Sequence, residues 1–225
     1  MKVIVTCGPS FEPIDEVRRL TNCSTGELGV RLTEQLAAAG HEVICLKGSG
    51  ATHPGPTPNP RVRLRAFGTN DDLLALLREH SQARDIGAVF HCAALCDYRI
   101  ASVRNEAGET CDAAKIASRT GALTLLLAPA TKVIHELRPL FPHSQLVGWK
   151  YELTGTRDEA LAKVRRQFAE AHTDYCVLNG RAAGEGFTLC DPTRALTHAP
   201  SKADLCAALV ALLTTLAPVP GRAEG

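Results

Sequence analysis

Between Gly8 and Gly29 the chain gathers Glu12, Asp15, Arg18, Arg19, Asn22, Ser24, Thr25 and Gly26, far more chemistry than a connection needs. Ser24-Thr25-Gly26-Glu27 reads as a capping box, with the Ser24 hydroxyl taking the Glu27 N–H at the start of a helix. A helix that opens on a glycine-bearing turn presents unpaired N–H groups and partial positive charge, which suits a phosphate. Gly26 costs stability in a first helical turn and fits a backbone that a ligand approaches closely. Asn22 is neutral and bifunctional, suited to an oxygen of a phosphate or acyl-phosphate. Arg18 and Arg19 either pair with Asp15 or meet an anionic substrate bidentately.

Further polar groups fall where strands end. Ala93-Ala94-Leu95-Cys96-Asp97 follows an apolar run; the two alanines leave room for a base or sugar against the backbone. Asp97 there suits a magnesium-bound water or a ribose hydroxyl. Trp149-Lys150-Tyr151-Glu152 and Asn179-Gly180 close two other runs, and Lys115 sits in a polar segment, Ser102–Arg119. No G-x-G-x-x-G follows the first strand, and Tyr98, Tyr151 and Tyr175 are followed four residues on by Ser102, Gly155 and Asn179, so no Y-x-x-x-K pair exists. Those absences argue against a nicotinamide oxidoreductase.

The elements that must position these residues alternate. Strand-like runs occur at 3–7, 42–46, 62–66, 88–92, 145–149 and 175–178. Helical spacing fills the gaps: Leu28, Leu32, Leu36 and Ala39 up to Gly40, a segment capped by Thr69, then 131–137, 157–171 and 201–216. The alternation implies an α/β, Rossmann-like doubly wound fold with a mostly parallel sheet and ligands outside the strand C-termini. Gly48–Pro60, with four prolines and three glycines, reads as a surface loop. Residues 100–127 read as an excursion from the sheet, a hairpin flap or a dimer contact. The chain thus divides into one domain over 1–216 and a disordered tail over 217–225.

With 225 residues and a net charge of +1, the chain can bury a sizeable core and carries no basic stripe for nucleic acid. No apolar run reaches membrane-spanning length, and Lys2 leads straight into a strand, which leaves no room for a signal peptide. The nine cysteines, odd in number and irregularly spaced, read as reduced structural thiols of a cytoplasmic protein.

Thr6-x-Gly8-Pro9-x-x-Glu12-Pro13-x-Asp15-x-Val17-Arg18 followed by Thr21-Asn22-x-Ser24-Thr25-Gly26-x-x-Gly29 resembles the opening of the phosphopantothenoylcysteine synthetase family. The likeness continues through His91-Cys-Ala-Ala-x-x-Asp97-Tyr98-Arg99, Lys115-Ile116, Val147-Gly148-Trp149 with Glu152, and Asp174 to Asn179. The resemblance implies a homodimeric ligase of coenzyme A biosynthesis that joins 4′-phosphopantothenate to cysteine, with CTP or ATP as co-substrate and Mg2+. The substrate carboxylate attacks the α-phosphate, pyrophosphate leaves, and the cysteine amine displaces the nucleotide from the acyl-nucleotidylate. Asn22 then matches the residue holding the acyl intermediate and Lys115 the cation stabilising the activation step. The nucleotide falls to Gly8, Ser24, Thr25, Gly26, Ala93, Ala94, Asp97, Trp149 and Asn179, the substrate to Arg18, Arg19 and Asn22, and the metal to Asp97. A flavin-dependent decarboxylase domain often fused ahead is missing, so no flavin is expected.

The chain also departs from that pattern. Glu27 stands where a basic residue is usual, Ala128-Pro129-Ala130 replaces Asn-Pro-Asp, Gln167 and Ala171 replace lysines, and Asn179-Gly180 replaces Asn-Asp. These are phosphate and nucleotide contacts, so a catalytically silent nucleotide-binding protein of the same fold is the alternative expectation.

Overall fold

Alternation along Lys2–Cys7 (β1) sends Val3 and Val5 to one face of a sheet and Ile4 to the other, and both faces are buried. In the computed structural model, which describes residues 1–111, 114–117 and 121–215, that strand lies near the middle of an eight-stranded sheet. The short strands Phe11–Pro13 (β2) and Arg19–Thr21 (β3) pair with each other. Then follow helix α1 (Glu27–Ala38), strands β4 (Glu42–Gly48) and β5 (Val62–Phe67), helix α2 (Asn70–Ser81) and strand β6 (Ile86–His91). A ribbon of β7 (Tyr98–Arg104) and β8 (Thr124–Pro129) stands off the sheet. Helix α3 (Val133–Leu140), strand β9 (Gln145–Tyr151), helix α4 (Arg157–Ala171) and strand β10 (Tyr175–Asn179) complete the parallel part. Strands β11 (Phe187–Cys190) and β12 (Ala195–Ala199) add on antiparallel, and helix α5 (Lys202–Thr215) ends the described chain.

The strand order is β12-β11-β10-β9-β6-β1-β4-β5. The chain winds outward from β1 through β4 to β5, then returns to β6 and winds the other way. The switch point is the β1–β6 boundary, where a doubly wound sheet opens a crevice. Helices α1 and α5 cover one face through Leu32, Leu36, Leu205 and Leu209, while α2 and α3 cover the other through Leu73, Leu77, Val133 and Leu137. Helix α4 packs Ala160 and Val164 on Cys176, Leu178 and Cys190.

Every expected parallel strand and helix is present, with ends shifted by no more than three residues. Thr69 caps α2, taking the Asp72 N–H and receiving Asp72 in return at its own N–H. Gly40, at φ +91°, stops α1: its N–H reaches the Ala37 carbonyl, and the His41 N–H reaches Leu36. Residues 98–104 and 124–129, which overlap the ends of the excursion expected over 100–127, form the β7–β8 ribbon; the tail expected over 217–225 lies outside the described residues. Among the described residues no helix is long and apolar enough to cross a membrane. Cys7, Cys45, Cys176, Cys190 and Cys206 are buried in apolar clusters. Burial pushes the thiol of Cys176 up to about 12 and that of Cys206 to about 11, so neither is a nucleophile at neutral pH.

Candidate functional site

Helix α1 does not begin as its sequence suggests. Its N-cap is Gly26, at φ +79°, with no side-chain cap, and the Glu27 N–H meets Thr25 Oγ1 at 3.3 Å. Ser24 therefore does not close a capping box. A left-handed cap accounts for the glycine better than ligand approach alone, because a side chain at that φ is strained. Space demands it too: a Cβ at Gly26 would lie 3.0 Å from the Ala51 Cβ, and one at Gly8 (φ +77°) 2.7 Å from the same atom. The loop after β4 is thus more than surface covering. Its Ala51 rests on both glycine turns, and the His53 N–H donates to the Thr25 carbonyl at 3.0 Å.

The turn at Gly8 fixes the segment after β6. The Ala94 N–H donates to the Gly8 carbonyl at 2.9 Å, and the Ser10 N–H returns to the Ala94 carbonyl at 3.2 Å. The Asn22 side-chain amide gives both its N–H groups to this segment, at 3.1 Å to Ala94 O and 2.8 Å to Leu95 O. Asn22 is an anchor of the loop in this conformation. Beneath it, buried His91 meets Thr6 Oγ1 through Nδ1 at 3.0 Å, and burial depresses its pKa to about 4.

These segments wall a cleft of about 450 Å³. Of the residues singled out in the sequence, Gly8, Ser24, Thr25, Gly26, Ala93, Ala94, Trp149 and Asn179 line it together. They come from the C-terminal ends of β1, β6, β9 and β10 and the N-terminus of α1, where the topology predicts a ligand. A larger depression of about 610 Å³, walled by Lys2, Glu42, Arg63 and His80, opens at the strands' N-terminal ends, away from this chemistry.

Arg18, Arg19, Asn22, Asp97 and Lys115 are not among the lining residues. Arg18 binds Asp15 at 3.2 Å and the Ile116 carbonyl at 2.8 Å, while Arg19 lies over the Phe11 ring at 5.0 Å. Burial pushes the Asp15 carboxyl up, but the N–H groups of Val17, Ile116 and Arg18 outweigh it and hold it below the usual range. That carboxylate ties the Lys115 segment to the β2–β3 hairpin: Ile116 N–H donates to it at 3.2 Å, and Glu16 N–H donates to Ala114 O at 3.0 Å. Lys115 itself is exposed. Asp97 is ion-paired with Lys132 at the start of α3. Among the described residues no group of three or more His, Cys, Asp and Glu can hold a metal ion.

The departures noted in the sequence acquire physical reasons. Glu27 is not a free negative charge: Arg31 Nε holds one carboxylate oxygen at 2.8 Å and Lys202 the other, and the Lys202 ammonium foremost keeps its carboxyl below the usual range. Gln167 and Ala171 face inward; Gln167 Nε2 lies 3.3 Å from Cys176 Sγ, so neither position points at the cleft. Gly180 has φ +103°, and a Cβ there would come within 2.3 Å of the Glu152 carbonyl oxygen, so aspartate does not fit.

Sequence reasoning missed Lys202 and Phe187, both of which line the cleft. Tyr151, noted in the sequence as a strand-end residue but not assigned to the site, lines it too. Lys202 gave no local signal, since it opens a helix that otherwise reads as core and meets Glu27 only through the fold.

Among curated relatives, the chain is 28% identical over 181 residues to the coenzyme A biosynthesis bifunctional protein CoaBC of Thermococcus kodakarensis, covering 79% of this chain and 41% of that protein. It is 27% identical over 164 residues to the CoaBC of Escherichia coli K12, covering 72% of this chain and 38% of the relative. The chain thus spans about two fifths of these relatives. Among solved structures, a DNA/pantothenate metabolism flavoprotein from Streptococcus pneumoniae superposes with a TM-score of 0.85 at 25% identity, over 96% of this chain and 99% of that one. A Cab2 variant in complex with phosphopantothenate-cysteine shares the fold, with a TM-score of 0.72 at 16% identity over 95% and 86% of the two chains. Residues 1–205 carry the family's pattern and take in every wall of the cleft, and so the chain belongs to the DNA/pantothenate metabolism flavoprotein C-terminal domain family.

Proposed function

We propose that this protein is a phosphopantothenate–cysteine ligase of coenzyme A biosynthesis, using CTP or ATP with Mg2+. The observation that carries this reading is the cleft at the β1–β6 switch point, where the Gly8 and Gly26 turns and the uncapped α1 N-terminus meet Ala93, Ala94, Trp149 and Asn179. Backbone N–H groups at a helix start suit phosphate, and two alanines with an indole suit a flat base. Family membership and the CoaBC relatives support the same substrates.

In this reading the carboxylate oxygen of 4′-phosphopantothenate bonds to the α-phosphorus and pyrophosphate leaves. The cysteine amine then bonds to the acyl carbon, and the nucleoside monophosphate leaves. Lys115 brings its charge from the segment docked on Asp15 to the phosphate as negative charge builds there. Asn22 shapes the loop that receives the acyl group, Arg18 and Arg19 border the substrate side, and Asp97 would hold a magnesium-bound water, the ion neutralising charge on the phosphates.

The test is incubation with 4′-phosphopantothenate, cysteine, magnesium and either nucleotide while pyrophosphate release is followed. Release with one nucleotide, abolished in Lys115→Gln, is the expected outcome; no release with either sinks the ligase reading. The exposed position of Lys115, away from the cleft lining, favours a second reading, a nucleotide-binding protein without ligase activity. Nucleotide binding without pyrophosphate release would select it.

A further inference from the structure

Lys202 is placed where helix energetics alone would not put it. It is the first residue of α5, and a cation in a first turn opposes the helix dipole. Helix α5 packs on α1 so that both N-termini meet at the cleft, where Lys202, Thr25, Gly26 and Glu27 form one corner. Its ammonium binds one Glu27 carboxylate oxygen while Arg31, from the next turn of α1, binds the other. An ammonium has three donors, so the Glu27 contact leaves two directed elsewhere. Glu27 is therefore satisfied on both oxygens, and the corner of Glu27, Arg31 and Lys202 is net positive beside uncapped backbone N–H groups.

From this geometry, and resting on the nucleotide-dependent reading above, we infer that Lys202 is a phosphate-binding residue of the cleft, held in position by Glu27 and Arg31. The cation lacking from the α1 turn is supplied across the domain by α5. Glu27 acts as a positioning residue: it fixes a flexible ammonium over the turn, which lowers the side-chain entropy lost when an anion arrives. The ligand chemistry is a phosphate group, and the nucleotide polyphosphate and the phosphomonoester of 4′-phosphopantothenate are its two sources.

The test titrates inorganic tripolyphosphate and 4′-phosphopantothenate separately into the full chain by calorimetry. Wild type is compared with Lys202→Met, Lys202→Arg and the double variant Glu27→Lys/Lys202→Met, each first checked for an unchanged thermal transition. Lys202→Met should weaken one probe by about tenfold to a hundredfold, the range of a charge-assisted hydrogen bond. The probe affected names the source: tripolyphosphate for the nucleotide, 4′-phosphopantothenate for the monoester. Lys202→Arg should bind within about threefold of wild type, and the double variant should recover most of the loss by placing a cation on α1 itself. A structural role for the Lys202–Glu27 pair would not be rescued that way. If Lys202→Met binds both probes within about twofold of wild type, or wild type binds neither, the inference is overturned. Pyrophosphate release in wild type is scored apart, so a failed ligase reading and a failed role for Lys202 give different results.

Discussion

His91 ends β6 directly below the loop that lines the cleft, with its ring packed out of water against Thr6. Its pKa of about 4 lies below the 6.5 of a free imidazole, so the unfolded chain takes up this proton first as pH falls. Stability from a neutral, buried His91 is therefore complete above about pH 6.5 and drains away down to about pH 4, by at most ~3 kcal/mol. Urea unfolding at pH 7 and pH 5 checks the direction, and an NMR titration identifies the residue. A His91 resonance titrating near 6.5 refutes the assignment. Trp149 offers a second observable. It is the only tryptophan in the chain, it lines the cleft, and its buried Nε1 has no hydrogen-bond partner among the described residues. An unmatched buried donor costs about 1–3 kcal/mol, which an acceptor on a bound base would relieve. Titrating CTP or ATP should shift indole emission saturably; a flat response with either nucleotide places the base elsewhere.

At the scale of elements, α1 carries a glycine where a helix would ordinarily prefer alanine. A Cβ at Gly29 would stand 2.2 Å from Cys7 Cβ and 3.1 Å from Cys92 Sγ, so α1 lies on β1 at backbone distance. Gly29→Ala, stabilising in an exposed helix, should here cost about 1–3 kcal/mol by overpacking, read from urea denaturation. A gain in stability would show that α1 slides freely. Gly180→Asp, the family's common pair restored, should likewise lower the melting temperature. The parallel strands and five helices were legible because apolar runs and helical spacing were both sustained over whole elements. The short β2 and β3 carry Glu12 and Arg19 with no alternation, and they exist because the hairpin packs beside β7. Strands β11 and β12 follow Gly184-Glu185-Gly186, which reads as loop, and their pairing is set by β10. The start of α1 was misplaced because Ser24-x-x-Glu27 satisfies the capping pattern, whereas contact with Ala51 fixes Gly26 in the left-handed region. The cleft itself was legible from its glycines and strand ends, but Lys202 was not, since only tertiary packing brings it there.

Across the whole molecule, the β7–β8 ribbon stands out as a sparsely covered element, most of its residues being exposed. Tyr98, Leu126 and Leu127 on it are about half exposed, as are Val17 and Leu20 nearby. An isolated two-stranded ribbon is marginal in water, and we propose that a second copy covers these residues, as the homodimer implied by the family resemblance would require. Leu126→Ser with Leu127→Ser should shift light-scattering mass from dimer to monomer; a wild-type monomer at micromolar concentration would exclude the proposal. The contact of Ala51 with both glycine turns carries a consequence for motion. Residues far apart in the chain share one steric stop, and the His53–Thr25 hydrogen bond fastens it. The two glycine turns and the 49–53 loop should then exchange their amide hydrogens at one common rate, as a single opening unit, and slow together when the cleft fills.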